Sequence, residues 1–191
     1  MRLLALALFC SSMQAQPPLV EGKPDSPVRV LIYEDLQCPD CAAFREMLDQ
    51  KLLPKYGARV AFEHRDFPLA KHAWARPASI AARYLQSVNE ATAIQFRRET
   101  MKSMREIKAD TFQHWLRTFC ARNGVDPEKA VAALNDPTLQ AAVQKDFDDG
   151  VARGIARTPT ALVNGEPFIE TFTFEEISKG IDAALKENGI Q

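Results

Sequence analysis

The hydrophobic pattern divides the chain into a strand–helix–strand unit, a long helical stretch, and a return to strands and one last helix. Val28-Arg29-Val30-Leu31-Ile32-Tyr33 is rich in β-branched and aromatic residues and reads as a buried strand. Phe44, Met47, Leu48 and Leu52 then recur at helical spacing up to Pro54. Arg59 to His64 reads as a second short strand. From about His72 to Gly154 the pattern is helical throughout. Phe112, Trp115, Leu116 and Phe119 form one apolar stripe, and Leu139, Val143, Phe147 and Val151 another. Asp126-Pro127 and Asp136-Pro137 each set a cap residue before a first-turn proline. Thr160–Val163 and Glu166–Ile169 flank Asn164-Gly165, a pair suited to a turn that needs positive φ twice. Thr173-Phe174-Glu175-Glu176 is a capping box, and Ile177, Ile181, Ala184 and Leu185 mark the core face of the helix it opens. The order predicts an α/β fold, a sheet with helices on it and one helical insertion at about residues 72–154.

The N-terminal segment has a different pattern. Met1-Arg2 is a minimal basic start, and Leu3 to Cys10 is an apolar run of signal-peptide length, too short to span a bilayer. Residues 1–15 are therefore expected to be a signal peptide, cleaved after Ala15, although Met13 fits the small-residue rule poorly. Residues 16–27, with Pro17, Pro18, Pro24 and Pro27, read as an extended lead-in, and 28–191 as the folded domain. The 191 residues balance 24 Lys+Arg against 25 Asp+Glu. That near-neutrality offers no basic surface to phosphates and argues against nucleic-acid binding.

Export changes how the cysteines are read. Without Cys10 the chain holds Cys38, Cys41 and Cys120, an odd number in an oxidising compartment. This is no disulfide-stapled scaffold, and the vicinal pair points to chemistry. Cys38-Pro39-Asp40-Cys41 sits where a strand ends and a helix begins, with Pro39 suited to the first turn. The helix start favours a thiolate at Cys38, the expected nucleophile, while Cys41 lies a turn inward to resolve a mixed disulfide. The Asp40 carboxylate is expected to oppose ionisation of Cys38 and to make the disulfide less oxidising. A structural zinc site would need four ligands, and no second short-spaced pair completes one. An inert disulfide across so short a loop would stabilise little. Copper(I) bound by the same thiolates and a histidine, as in a thioredoxin-like copper chaperone, is the alternative from a different functional class.

Several stretches together resemble the DsbA-type branch of the thioredoxin superfamily. They are Tyr33-Glu34-Asp35-Leu36-Gln37-Cys38-Pro39-Asp40-Cys41, His64-Arg65-Asp66-Phe67-Pro68-Leu69 with His72, Gly154-Ile155-Ala156-Arg157-Thr158-Pro159-Thr160, and Val163-Asn164-Gly165. The resemblance covers about residues 26–187. It implies a thioredoxin-like fold with a helical insertion and thiol:disulfide oxidoreductase activity toward cysteine-containing proteins. It also implies a cis Thr158–Pro159 bond beside the cysteines, leaving the Thr158 backbone free to pair with a substrate chain. A membrane redox partner would reoxidise the pair, with no bound cofactor. Many relatives carry a buried carboxylate six residues before the first cysteine. Ile32 stands there in this chain, and Glu34, on the same side of the strand, is the candidate replacement as proton relay. Isomerase relatives add an N-terminal dimerisation domain for which residues 16–27 leave no room, so a monomeric oxidase or reductase, periplasmic or otherwise extracytoplasmic, is expected. Cys120 beside the Phe112 stripe reads as core, and His72 and His114 as solvent-facing or helix-end residues. Arg97-Arg98 and Glu99 read as a solvated helix face.

Overall fold

The computed structural model describes residues 17–190. The expected signal peptide lies outside the described residues. The first strand, β1 (Leu19–Gly22), falls in the segment read as an extended lead-in. It is a strand because Leu19 and Glu21 both turn inward, and Glu21 is satisfied there by ion pairs from distant parts of the chain. Gly22 ends it at φ +87°, where an added Cβ would lie 2.4 Å from the Val60 carbonyl oxygen.

Strand β2 (Arg29–Glu34) leads into helix α1 (Pro39–Met47). A π-helical turn, Leu48–Leu52, carries the helix on into α2 (Leu53–Tyr56), so Pro54 does not end it as the sequence suggests. The wider turn absorbs the proline without a break in direction. Strand β3 (Ala61–Asp66) pairs parallel with β2. The insertion comprises α3 (Ala75–Val88), α4 (Glu90–Lys102), α5 (Phe112–Arg122), α6 (Pro127–Ala132) and α7 (Pro137–Ala152). Asp126 and Asp136 cap α6 and α7 as expected. Strands β4 (Thr160–Val163) and β5 (Glu166–Ile169) form the hairpin, with Asn164 and Gly165 at φ 46° and 99°. Helix α8 (Phe174–Glu187) opens on the complete Thr173/Glu176 capping box.

The sheet order is β1-β3-β2-β4-β5, with only β2 and β3 parallel. One core lies between the sheet, α1 and α8, and includes Val30, Ile32, Phe44, Phe62 and Ile181. A second fills the insertion, where Trp74, Phe96, Leu116, Phe119 and Cys120 pack with Cys38 and Cys41. A third, smaller cluster on the other sheet face joins Tyr33, Phe67 and Ile155 to Phe147 of α7. The apolar stripe expected along α7 is shifted: Val151 is exposed, while Asp146 and Gly150 face inward. Gly150 is closely packed, because an added Cβ would lie 2.7 Å from the Phe67 ring.

A layer of charge joins the insertion to the sheet. Arg97 of α4, read from sequence as part of a solvated face, is only 2% exposed. Its guanidinium bridges Glu34 at 2.8 Å and Asp66 at 2.7 Å. Asp66 also accepts Arg83 Nε at 2.6 Å, and Arg83 pairs with Asp146, which accepts Arg65 as well. Arg98 is half-exposed and binds Glu21 and Asp49, and Glu99 pairs with Arg122. Each buried charge thus has an opposite partner supplied by another element.

Candidate active site

Cys38 is the N-cap residue of α1, with extended backbone at φ −87° and ψ 125°. Its own N–H donates to the Asp35 carbonyl at 3.0 Å, which ties the cap to the end of β2. Pro39 and Asp40 form the exposed first turn. The free N–H groups of that turn converge on the Cys38 sulfur. Cys38 keeps 5% of its surface exposed, whereas Cys41, one turn in, keeps none.

The two sulfurs are electrostatically unlike. The Cys38 thiol is pulled down to about 6, first by the hydrogen bond from the Cys41 thiol, which outweighs burial. Thr158 and the backbone N–H groups of Cys41 and Asp40 add to this. Burial pushes the Cys41 thiol well up, and the neighbouring Cys38 and Glu34 charges push it further. At pH 7 a thiol with a pKa near 6 is about 90% thiolate, against a few per cent for an ordinary cysteine. Asp40, expected to oppose this ionisation, acts on Cys38 through its backbone N–H, in the favourable direction.

The second chain segment at the site is the loop before β4. The Thr158–Pro159 peptide bond is cis. In its protonated form the Cys38 thiol donates to the Thr158 carbonyl at 3.4 Å, and the Pro159 carbonyl accepts the Glu170 N–H at 2.8 Å. Thr158 and Pro159 are both buried. An apolar cleft of Phe44, Met47 and Phe172, edged by Asp40 and Glu170, runs from the active turn along α1.

Asp35 and His72, assigned no role from the sequence, join the two loops of the site. Asp35 is fully buried; its carboxylate accepts the Gln37 N–H and the Leu69 N–H, each at 2.7 Å, and contacts His72 Nδ1 at 2.8 Å. Its backbone N–H donates to the Cys41 sulfur at 3.4 Å. His72 therefore holds the loop after β3 against the active turn, contrary to the solvent-facing reading. Glu34 is buried with Oε1 shared between His64 Nδ1 and Arg97 Nη1, both at 2.8 Å. Burial alone would raise its pKa, but His64 and Arg97 hold it below the usual carboxylate range. The spacing of Asp35 and His72 in the sequence gave no sign of this contact; the only signal was a carboxylate placed at a strand end beside the cysteine turn.

Cys120 lies remote in sequence within the insertion core, fully buried, with burial pushing its thiol up to about 11. It is an inert packing residue at neutral pH. Among the described residues no three His, Cys, Asp or Glu side chains converge in a way that would hold a metal ion. Among them, also, no helix is long and apolar enough to cross a membrane.

Comparison with known proteins agrees with this geometry. The thioredoxin family model matches residues 14–183. Disulfide bond formation protein D of Bacillus subtilis is 25% identical over 185 residues, covering 92% of this chain and 79% of that protein. The crystal structure of oxidised BdbD from Bacillus subtilis superposes with a TM-score of 0.76 at 24% identity, over 88% of this chain and 93% of that one. Wolbachia pipientis alpha-DsbA1 gives a TM-score of 0.77 at 16% identity, over 89% and 92%. The fold is thus shared with these structures, and the family match over most of its length shows that the chain belongs to the thioredoxin family.

Proposed function

We propose that this protein is an exported thiol:disulfide oxidoreductase that works as an oxidase of protein thiols. The observation that carries the reading is the asymmetry of the pair: an ionised sulfur at the helix mouth and a protonated one buried behind it. Stabilising the Cys38 thiolate stabilises the reduced protein, and so makes the disulfide a better electron acceptor. A substrate thiolate attacks Cys38 of the Cys38–Cys41 disulfide, and Cys41 leaves with the electron pair and takes up a proton. The substrate's second thiolate then attacks its own bridged sulfur, and Cys38 leaves as the thiolate. The substrate has lost two electrons and the protein has gained them, so the sulfurs carry the whole exchange with no further cofactor.

The Thr158 backbone pairs with the bound substrate chain in this reading, and Pro159, lacking an N–H, leaves the thiolate to the helix donors. Pro39 fixes the first turn. Glu34 serves as the proton relay of Cys41, a role supported by its charge being felt at that sulfur. Residues 1–15 direct export to the periplasm or another extracytoplasmic space. The protein acts as a monomer, reoxidised by a membrane redox partner. Oxidative refolding of a reduced, unfolded substrate tests the reading. Cys38→Ser is expected to abolish the activity, and full activity without that thiol would overturn it.

A further inference from the structure

The Cys41 thiol must shed a proton from a place that water does not reach. Its sulfur is enclosed, and the Asp35 N–H holds it at the end of β2, one residue beyond Glu34. Glu34 does not end the polar chain. His64 of β3 meets it through Nδ1 at 2.8 Å and meets Glu21 of β1 through Nε2 at 3.0 Å. A neutral imidazole has one N–H and one lone pair, so between two ionised carboxylates its lone pair would face an anion. The arrangement therefore suits an imidazolium, and the surrounding charges agree. Glu34 and Glu21 touch the ring. Arg97 and Arg98 of α4, Arg45 of α1, Asp49 of the π turn and Asp66 of β3 form the next layer. Burial would lower the His64 pKa, but the two carboxylates raise it overall. Glu21 passes the chain outward. Its Oε2 accepts Arg98 Nη2 at 2.8 Å, and Arg98, Arg45 and Asp49 line an open cavity of about 640 Å³ between α1 and α4.

We propose that His64, hydrogen-bonded to Glu34 at the end of β2 and to Glu21, whose carboxylate meets Arg45 and Arg98 of the α1/α4 cavity, is the group through which Cys41 exchanges its proton with solvent. The proposal rests on the cysteine pair acting as described above. When Cys41 resolves a mixed disulfide, its S–H bond breaks and the Cys41–Cys38 bond forms. The bond from Cys38 to the bound sulfur breaks, and that sulfur leaves with the electron pair. The thiol proton passes to the Glu34 carboxylate, while His64 releases its Nε2 proton by way of Glu21 to water in the cavity. One proton enters the cluster and one leaves, so its net charge is constant and buried charge is never created. Reduction of the pair runs the same path backward. His64 acts through Glu34 and is a positioning residue.

The test uses the reduced full chain mixed with an aromatic disulfide that releases a coloured thiolate. The first release reports attack by Cys38, and the second reports resolution by Cys41. His64→Gln keeps hydrogen bonding but does not titrate. It is expected to slow the second phase at least about tenfold near pH 7 and to remove that phase's inflection with pH. Glu21→Gln is expected to slow it in the same direction. Second-phase rates within about twofold of the native protein from about pH 6 to 8, in both variants, would overturn the proposal. Absence of the first phase in the native protein would instead defeat the oxidoreductase reading. Should His64→Gln fail to fold, the imidazole titration is followed by NMR in the native protein. A His64 pKa that differs between oxidised and reduced forms is expected, and an identical one overturns the proposal.

Discussion

Replacing Cys41 with alanine removes the largest single influence on the Cys38 thiolate. In the native site that thiolate receives a hydrogen bond from the Cys41 thiol, supplemented by Thr158 and the helix-start N–H groups. A hydrogen bond to a charged group contributes about 1.5–3 kcal/mol, which corresponds to about one to two pH units in the titration of the acceptor. Cys41→Ala is therefore expected to move the Cys38 pKa from about 6 to about 7–8. The thiolate fraction at pH 7 falls from about 90% to between about 50% and 10%. Thiolate absorbance in the far ultraviolet against pH measures this directly, and alkylation at pH 7 should slow about two- to ninefold in step. The substitution is small and buried, and the α1 cap is left intact, so the helix contribution is held constant. An unchanged Cys38 pKa would refute the reasoning: the helix mouth and the Thr158 loop would then suffice, and the two sulfurs would not be coupled.

Arg97→Met should leave Glu34 and Asp66 facing one another without their shared cation, and cost about 3–5 kcal/mol of stability in urea denaturation; a loss below about 1 kcal/mol would show that the ion pairs merely offset their own burial. Stability should fall on both sides of neutrality. Glu21, held at about 2 against an unfolded value near 4.3, contributes stability that is lost as pH falls through that interval. His64, raised above its ordinary value, contributes stability that is complete below about pH 6.5 and lost as pH rises through the folded value. Thermal melts across pH check both limbs, and a flat acid limb would contradict the Glu21 pairing. Gly150→Ala puts a methyl against Phe67 and Tyr33 and should cost about 1–3 kcal/mol through overpacking, measured by the same denaturation, whereas a neutral effect would mean that α7 shifts freely.

The parts of the fold that were legible from sequence are those fixed by neighbours along the chain. The β2–Cys38–Pro39–α1 junction, the Asn164-Gly165 turn, the Asp126 and Asp136 caps and the Thr173 capping box all depend on residues within a few positions of one another. The misread parts depend on charges that meet from afar. Arg97, with its neighbours Arg98 and Glu99, has the composition of a solvated helix face, and only the approach of Glu34 and Asp66 makes it interior. Asp146 interrupts an apolar stripe for the same reason, since Arg65, Arg83 and the Asp66 N–H await it. Strand β1 was missed because Glu21 looks like a surface residue until His64, Arg45 and Arg98 are placed around it. The asymmetry of the cysteine pair follows from the helix start, but its amplification by burial, by the Glu34 charge at Cys41 and by the Thr158 side chain at Cys38 required the tertiary structure.

The pair's role is tested most directly by bringing it to equilibrium with glutathione and measuring the fraction of Cys38–Cys41 disulfide at each ratio of reduced to oxidised reagent. A thiolate stabilised at the helix mouth predicts a potential well above that of thioredoxin, about −270 mV, in the range of proteins that accept electrons from substrate thiols. A potential at or below the thioredoxin value would contradict the account and make the protein a donor of electrons.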